Sequence, residues 1–119
     1  MNSSVNPAHA EQRRKNRVTI PEHPQILDAH SDKVLGELVN LSSDGLMAVS
    51  PTDIASGTVY QMRIPLIRDG NRVEILVGVE SLWCDDANGS GSYWTGFQII
   101  DISSEHQDIL DTVVENGNG

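Results

Sequence analysis

The chain has 119 residues, the length of one domain, and 38% of them are hydrophobic, which is enough for a buried core. Its formal net charge of -9 argues against binding to DNA, RNA or an anionic membrane surface, because each of these would repel it. A single cysteine excludes an internal disulfide framework, and no apolar run reaches the roughly 20 residues of a membrane helix, so we expect a cytoplasmic domain without membrane insertion.

The N-terminal region is polar, and most of the remaining chain is β-prone. Residues 1–12 show no periodicity, which predicts a flexible tail. Short β-prone segments separated by turns come next; in chain order they are 18–20, 25–29, 34–41, 46–49, 59–66, 72–83 and 93–100. A turn is predicted at residues 42–45, where Gly45 can adopt a positive φ. Residues 52–57 are predicted to form a loop or a short helical turn.

Two of these segments alternate clearly between apolar and polar residues. In the first, Met62, Ile64 and Leu66 share one face. In the second, the apolar residues predicted to share one face are Val73, Ile75, Val77, Val79 and Trp83. Strands that alternate in this way each bury one face, so the pattern favours a mainly β domain.

A single helix is predicted after the last strand. Ser104 and Gln107 fit a capping box, and an apolar stripe follows at Ile109, Leu110, Val113 and Val114. We expect residues 116–119 to form a disordered tail. Several short strands and one late helix favour a closed or nearly closed antiparallel barrel, with the helix against the barrel or over one end.

The sequence contains little that resembles a catalytic or metal site. Its four histidines have no metal-ligand spacing, and it has no phosphate-loop lysine motif and no nucleophile elbow. Cys84 is expected to be a packed residue rather than a nucleophile. We therefore expect no catalytic residues, no bound metal and no cofactor.

The basic residues are concentrated near the N-terminus. Arg13, Arg14, Lys15 and Arg17 fall within five positions, whereas the rest of the chain has four basic residues against 17 acidic ones. Such a cluster on an acidic body suits a pocket for a small anion. It is equally compatible with a solvated basic stretch beside a flexible terminus, and charge alone leaves both interpretations open.

Two short motifs make the anion interpretation more specific. Arg13 and Arg17 form an R-x-x-x-R spacing ahead of the first β-prone segment. Asn40, Ser42 and Gly45 form an N-x-S-x-x-G pattern at a strand–turn–strand junction. Taken alone, the second motif is also what an ordinary hairpin turn would contain.

Together, in this order and in a small β-rich chain, the two motifs resemble the PilZ family of bacterial cyclic di-GMP receptors. That family's pattern is R-x-x-x-R followed by D/N-x-S/A-x-x-G. Residues 81–83 and 96–101 are similar to the family's late strands, and the closing helix also fits. The resemblance covers residues 13–115, which we expect to be one stand-alone domain.

The resemblance implies a fold and a set of ligand-binding residues. The fold would be a six-stranded antiparallel β-barrel with a C-terminal α-helix and a flexible N-terminal arm. The ligand would be cyclic di-GMP, with Arg13 and Arg17 contacting guanine edges and phosphates. The second motif would contribute Asn40, Ser42 and Gly45, and weaker candidates at the rim of the pocket are Arg14 and Trp83.

Physical chemistry agrees with these assignments. Arginine can grip a phosphate with its planar fork, pair with guanine O6 and N7, or stack on a purine. Asn40 offers both a donor and an acceptor to a guanine edge, and Ser42 can reach a base or phosphate oxygen. We expect the arm to fold over the bound nucleotide, at an ordering cost of roughly 1 kcal/mol or more per fixed residue.

The expected function is that of a monomeric receptor and adaptor. Ligand binding would change its conformation and so regulate an unidentified partner protein in motility, biofilm or exopolysaccharide control. One alternative is a PilZ-like protein-interaction module that binds no nucleotide. Another is a small hydrolase, although no nucleophile–base pair is visible in the sequence.

Overall fold

The computed structural model of the protein describes residues 17–116. Seven strands and one helix follow one another along this part of the chain. They are β1 (Val18–Thr19), β2 (Gln25–Asp28), β3 (Val34–Leu41), β4 (Gly45–Ser50), β5 (Val59–Arg68), β6 (Asn71–Asp86), β7 (Tyr93–Ile102) and α1 (Ser104–Asn116). Residues 52–57, predicted as loop or a helical turn, contain no helix.

Six of the strands close into an antiparallel barrel, as predicted. The strands pair in the order β3–β2–β5–β6–β7–β4, and β4 pairs again with β3 to complete the ring. The two-residue β1 lies outside this ring and pairs with the end of β3, Val18 opposite Leu41 and Thr19 opposite Asn40. This pairing fixes the point at which the N-terminal region reaches the barrel.

The barrel interior is filled by the alternating apolar residues of the long strands. Met62, Ile64 and Leu66 are buried as predicted, and their paired neighbours on β6 are Val77, Ile75 and Val73. The helix contributes Ile109, Leu110, Val113 and Val114, all of them buried, which confirms the predicted apolar stripe. Because successive side chains of a strand point to opposite faces, the residues between these buried ones lie on the outer surface of the barrel.

The predicted position of Trp83 on the same face as the buried residues of β6 is wrong. Strict alternation from Val79 would bury Trp83, but the β6–β7 register shifts between Ser81 and Trp83. Ser81 is buried, whereas Trp83 is 41% exposed. An extra residue in one strand reverses the side chains that come after it, so this β-bulge moves the indole to the outer surface.

The helix begins one residue away from the predicted cap. The hydroxyl oxygen of Ser103 accepts a hydrogen bond from the backbone N–H of His106 at 3.1 Å, and its carbonyl accepts one from that of Gln107 at 2.8 Å. Ser103 is therefore the N-cap, and Ser104 is the first helical residue. The Gln107 side chain donates instead to the carbonyl of Ser43 at 3.0 Å and to Asp111 Oδ1 at 2.9 Å.

This cap geometry predicts different outcomes for two adjacent serines. Ser103→Ala removes the acceptor of an N-terminal helix N–H and is expected to lower the free energy of unfolding by about 1 kcal/mol. Ser104→Ala, the matched control, removes a hydroxyl with no capping role and improves helix propensity slightly. Urea unfolding followed by circular dichroism compares them, and a larger loss in Ser104→Ala would contradict the assignment.

Candidate functional site

The last residue of the first motif contacts the first residue of the second motif on the outer surface of the barrel. Arg17 immediately precedes β1, and the pairing of Thr19 with Asn40 places it beside the end of β3. The guanidinium Nη1 of Arg17 donates a hydrogen bond to Oδ1 of Asn40 at 2.9 Å. One residue from each motif thus forms a direct contact across 23 positions of sequence. Arg13 and Arg14 lie outside the described residues.

The turn of the second motif is held by its own hydrogen bonds. Ser42 is 2% exposed, and its backbone N–H donates to the carbonyl of Gly45 at 2.9 Å. Its hydroxyl lies 3.0 Å from Asp44 Oδ1 and 3.2 Å from the Gly45 carbonyl. The Ser42 side chain therefore stabilises the turn in this structure, and its predicted contact with a ligand stays a prediction.

Gly45 is required for a different reason from the one the turn pattern suggests. Its φ is not positive. Instead, it pairs with Gln98 on β7, and a Cβ at this position would lie 2.7 Å from the carbonyl oxygen of Phe97. The missing side chain lets β4 approach β7 closely, so Gly45 fixes the position of the turn against the barrel wall.

A row of cross-strand neighbours leads from the motifs to Trp83. Asn40 pairs with Met47, Met47 with Gly96, and Gly96 with Trp83. Directly paired residues point to the same side of a sheet, and the buried neighbours of Met47 and Gly96 show that this side is the outer surface. Since adjacent strands lie about 4.8 Å apart, Gly96 is about 10 Å from Asn40.

The charges around this row are of both signs. Arg17 brings a guanidinium to it, and Asp44 lies in the adjoining turn. A second row of paired residues lies beside it on the same face. It runs from Glu37 through Val49 and Trp94 to Asp85, so it has a carboxylate at each end. Carboxylates at these positions would repel an anion placed on the row, whereas the Arg17 guanidinium would attract it.

One residue that links the helix to this surface is missed by sequence reasoning. The Gln107 side chain donates to the carbonyl of Ser43, in the middle of the second motif. The spacing of Ser104 and Gln107 predicts a capping box, in which the Gln107 side chain would bond to the backbone at the start of the helix. This hydrogen bond connects the start of α1 to the motif turn, so a movement of the turn would displace the start of the helix as well.

A family model decides the classification. The model for the PilZ domain matches residues 11–116. The chain belongs to the PilZ family. The match includes both motifs, all the described strands and the helix of this PilZ domain.

Solved structures agree on the fold. Over 90% of this chain, the Bacillus subtilis inhibitor of motility MotI/DgrA superposes with a TM-score of 0.76 at 14% sequence identity. This PilZ domain covers 51% of that protein, about half its length. The PilZ domain of Escherichia coli YcgR with c-di-GMP gives a TM-score of 0.64 and 17% identity, covering 87% of this chain and 89% of that one. No protein with a curated description matches the chain.

In residues 17–116, no helix is long and apolar enough to cross a membrane. Within the same residues, no three His, Cys, Asp or Glu side chains group closely enough to hold a metal ion. A cavity of about 920 Å³ is lined by residues that include Leu27, Leu66 and Val113, but by neither Asn40 nor Trp83. The candidate site therefore lies outside this cavity.

Proposed function

We propose that this PilZ domain is a receptor for cyclic di-GMP, bound on the outer face of the barrel between the two motifs. The observation that carries the proposal is the hydrogen bond from Arg17 Nη1 to Asn40 Oδ1. It joins a residue of the R-x-x-x-R motif directly to a residue of the N-x-S-x-x-G motif. Arg13 and Arg14 belong to the same proposal, since they share the motif with Arg17.

The chemistry of the contact suits a cyclic dinucleotide. A guanidinium has five donors in a planar fork, so Arg17 can keep one bond to Asn40 and direct others to phosphate oxygens or to guanine O6 and N7. The carboxamide of Asn40 retains its NH₂ donors for a base edge. Holding the guanidinium in place before binding lowers the entropy lost when the ligand arrives.

The charge distribution favours a small anion over a nucleic-acid polymer. The body of the domain is acidic, and its basic residues are concentrated in one short segment. A polymer would bring many phosphates against the acidic surface, whereas a cyclic dinucleotide brings two. The relation to YcgR supports the same ligand, because its PilZ domain is known in a structure with c-di-GMP.

We further propose that the domain acts as an adaptor, without catalysis and without a cofactor. Binding would draw the N-terminal segment onto the row from Asn40 to Trp83 and so change the surface offered to a partner protein. The relation to an inhibitor of motility is consistent with a partner in motility, biofilm or exopolysaccharide control. The regulated protein would recognise the liganded domain in the cytoplasm.

Isothermal titration of cyclic di-GMP tests the proposal. Wild type is expected to bind, and Asn40→Ala is expected to lose about 1–3 kcal/mol of binding free energy, because both the ligand edge and the Arg17 contact are removed. Lys33→Ala is the matched control. It removes a positive charge at the other end of β3, about 23 Å from Asn40 at 3.3 Å per residue.

The outcomes separate the candidate functions. Binding by wild type and Lys33→Ala, weakened in Asn40→Ala, supports the receptor. Equal binding by all three proteins would place the ligand elsewhere. An absence of binding heat and of NMR shift changes in wild type would leave the protein-interaction module, whereas conversion of the nucleotide during titration would favour a hydrolase.

A further inference from the structure

Gly96 and Trp83 share one space on the outer face. They are paired neighbours on β7 and β6. A Cβ at position 96 would lie 2.4 Å from Cε2 and Nε1 of the Trp83 indole and 2.8 Å from Cζ2. These distances are far below van der Waals contact, so the ring occupies the space that any side chain at 96 would need. Glycine within a strand often marks such a close approach.

The indole keeps an accessible surface although it lies against the sheet. Trp83 is 41% exposed, so part of the ring can still meet a ligand. It reaches this place because the bulge between Ser81 and Trp83 turns it outward, toward Gly96. Trp94 lies on the same face two residues before Gly96 and is 38% exposed, but its cross-strand partners are Val49 and Asp85.

The position of the ring relative to the motifs is fixed by the register. Gly96 stands two strands from Asn40, about 10 Å away, and the indole lies over it. Tryptophan held over β7 extends toward Asn40, whereas a ring displaced from Gly96 would move away from this strand. The row therefore has a hydrogen-bonding end at Arg17 and Asn40 and an aromatic end at Trp83.

We propose that Gly96 is a positioning residue of the dinucleotide site. By leaving room for the indole, it holds Trp83 where the ring stacks on a guanine base of a ligand bound at Asn40. This inference rests on the proposed function, and it adds a residue that touches no ligand atom. Stacking on an aromatic ring is independent of the edge contacts that Arg17 and Asn40 make, so it adds affinity from a separate surface.

A double-mutant cycle by calorimetry tests the role of Gly96. Gly96→Ala and Trp83→Ala are each expected to weaken cyclic di-GMP binding about tenfold, which lies within the range for loss of one base–aromatic stack. The double variant should bind no more weakly than Trp83→Ala, because an alanine at 96 acts only through the ring. Gly78→Ala is the control for a crowded strand glycine, since its Cβ would lie 2.9 Å from Gln61 Nε2 and 3.0 Å from Asp101 Cβ, outside the row.

Fluorescence supplies a readout that a merely structural role would not change. The chain has two tryptophans, so in a Trp94→Phe background Trp83 is the sole emitter. Without ligand, Gly96→Ala is expected to shift this emission to the red, because the displaced ring meets more water, and Gly78→Ala is not. Cyclic di-GMP is expected to quench the emission in the background protein and to do so less in Gly96→Ala.

Each failure has its own signature. If wild type binds and Gly96→Ala binds equally well, the inference is overturned while the receptor function stands. If Gly96→Ala weakens binding further in the Trp83→Ala background, the glycine acts by another route and the inference is also overturned. If wild type itself binds no cyclic di-GMP, the proposed function fails and the inference fails with it.

Discussion

Replacing both arginines of the first motif, Arg13→Ala/Arg17→Ala, is expected to reduce cyclic di-GMP affinity at least about a hundredfold. Each hydrogen bond to a charged group contributes about 1.5–3 kcal/mol, so the loss of two guanidiniums costs about 3–6 kcal/mol if their contributions add. The variant also makes an acidic protein more negative, which disfavours a dianion further. Calorimetric titration at fixed ionic strength measures the change, with circular dichroism confirming that the barrel is intact.

The control is a second pair of arginines with the same total charge. Arg68→Ala/Arg72→Ala removes two positive charges at the β5–β6 turn, where Arg68 pairs with Asn71. We expect this variant to bind within about twofold of wild type, because Arg72 precedes Trp83 by about 36 Å along β6 and charges more than a Debye length away are largely screened. If both double variants lose affinity equally, net charge rather than the motif controls binding, and the proposed site would be wrong.

The barrel could be predicted largely because its strands follow simple periodicity. Met62, Ile64 and Leu66 alternate without interruption, and the structure buries all three. The predicted strands differ from the observed ones mainly at their ends, where pairing rather than local preference decides the last residue. The family resemblance then supplied the strand number and the barrel closure, which alternation alone left open.

The register of β6 against β7 could not be predicted from the sequence. A period of two predicts Trp83 on the same face as Val79, and no residue type in the sequence indicates the bulge after Ser81. The same limit hid the pairing of Gly96 with Trp83, since it depends on which strand lies opposite and in which alignment. Local spacing identified the motif residues, but only the closed sheet shows how they lie relative to one another.

The second motif combines a structural role with a proposed binding role. Its Asn40 is half-buried and already contacts Arg17, so it is the member with groups directed toward the first motif. Ser42 and Gly45 serve the turn and the β4–β7 contact in the described structure. Ser42 and Gly45 are needed to hold Asn40 at the end of its strand, whether or not they also contact the ligand. Their predicted ligand contacts can therefore be tested apart from their effect on folding.

Gly45→Ala is expected to destabilise the domain by about 3 kcal/mol, the upper range for overpacking a well-packed site. The added Cβ would lie 2.7 Å from the Phe97 carbonyl oxygen, a backbone atom that can move only if β4 separates from β7. The motif turn would shift with β4, so ligand affinity should fall as well. Urea unfolding measures the change in stability, and calorimetry measures the change in affinity.

Ser43→Ala, in the same turn, is the control. It leaves the carbonyl that accepts from Gln107 in place and should change stability by less than about 0.5 kcal/mol. Unchanged stability with lost binding in Gly45→Ala would instead assign Gly45 directly to the ligand surface, because the close contact with Phe97 would then cost nothing.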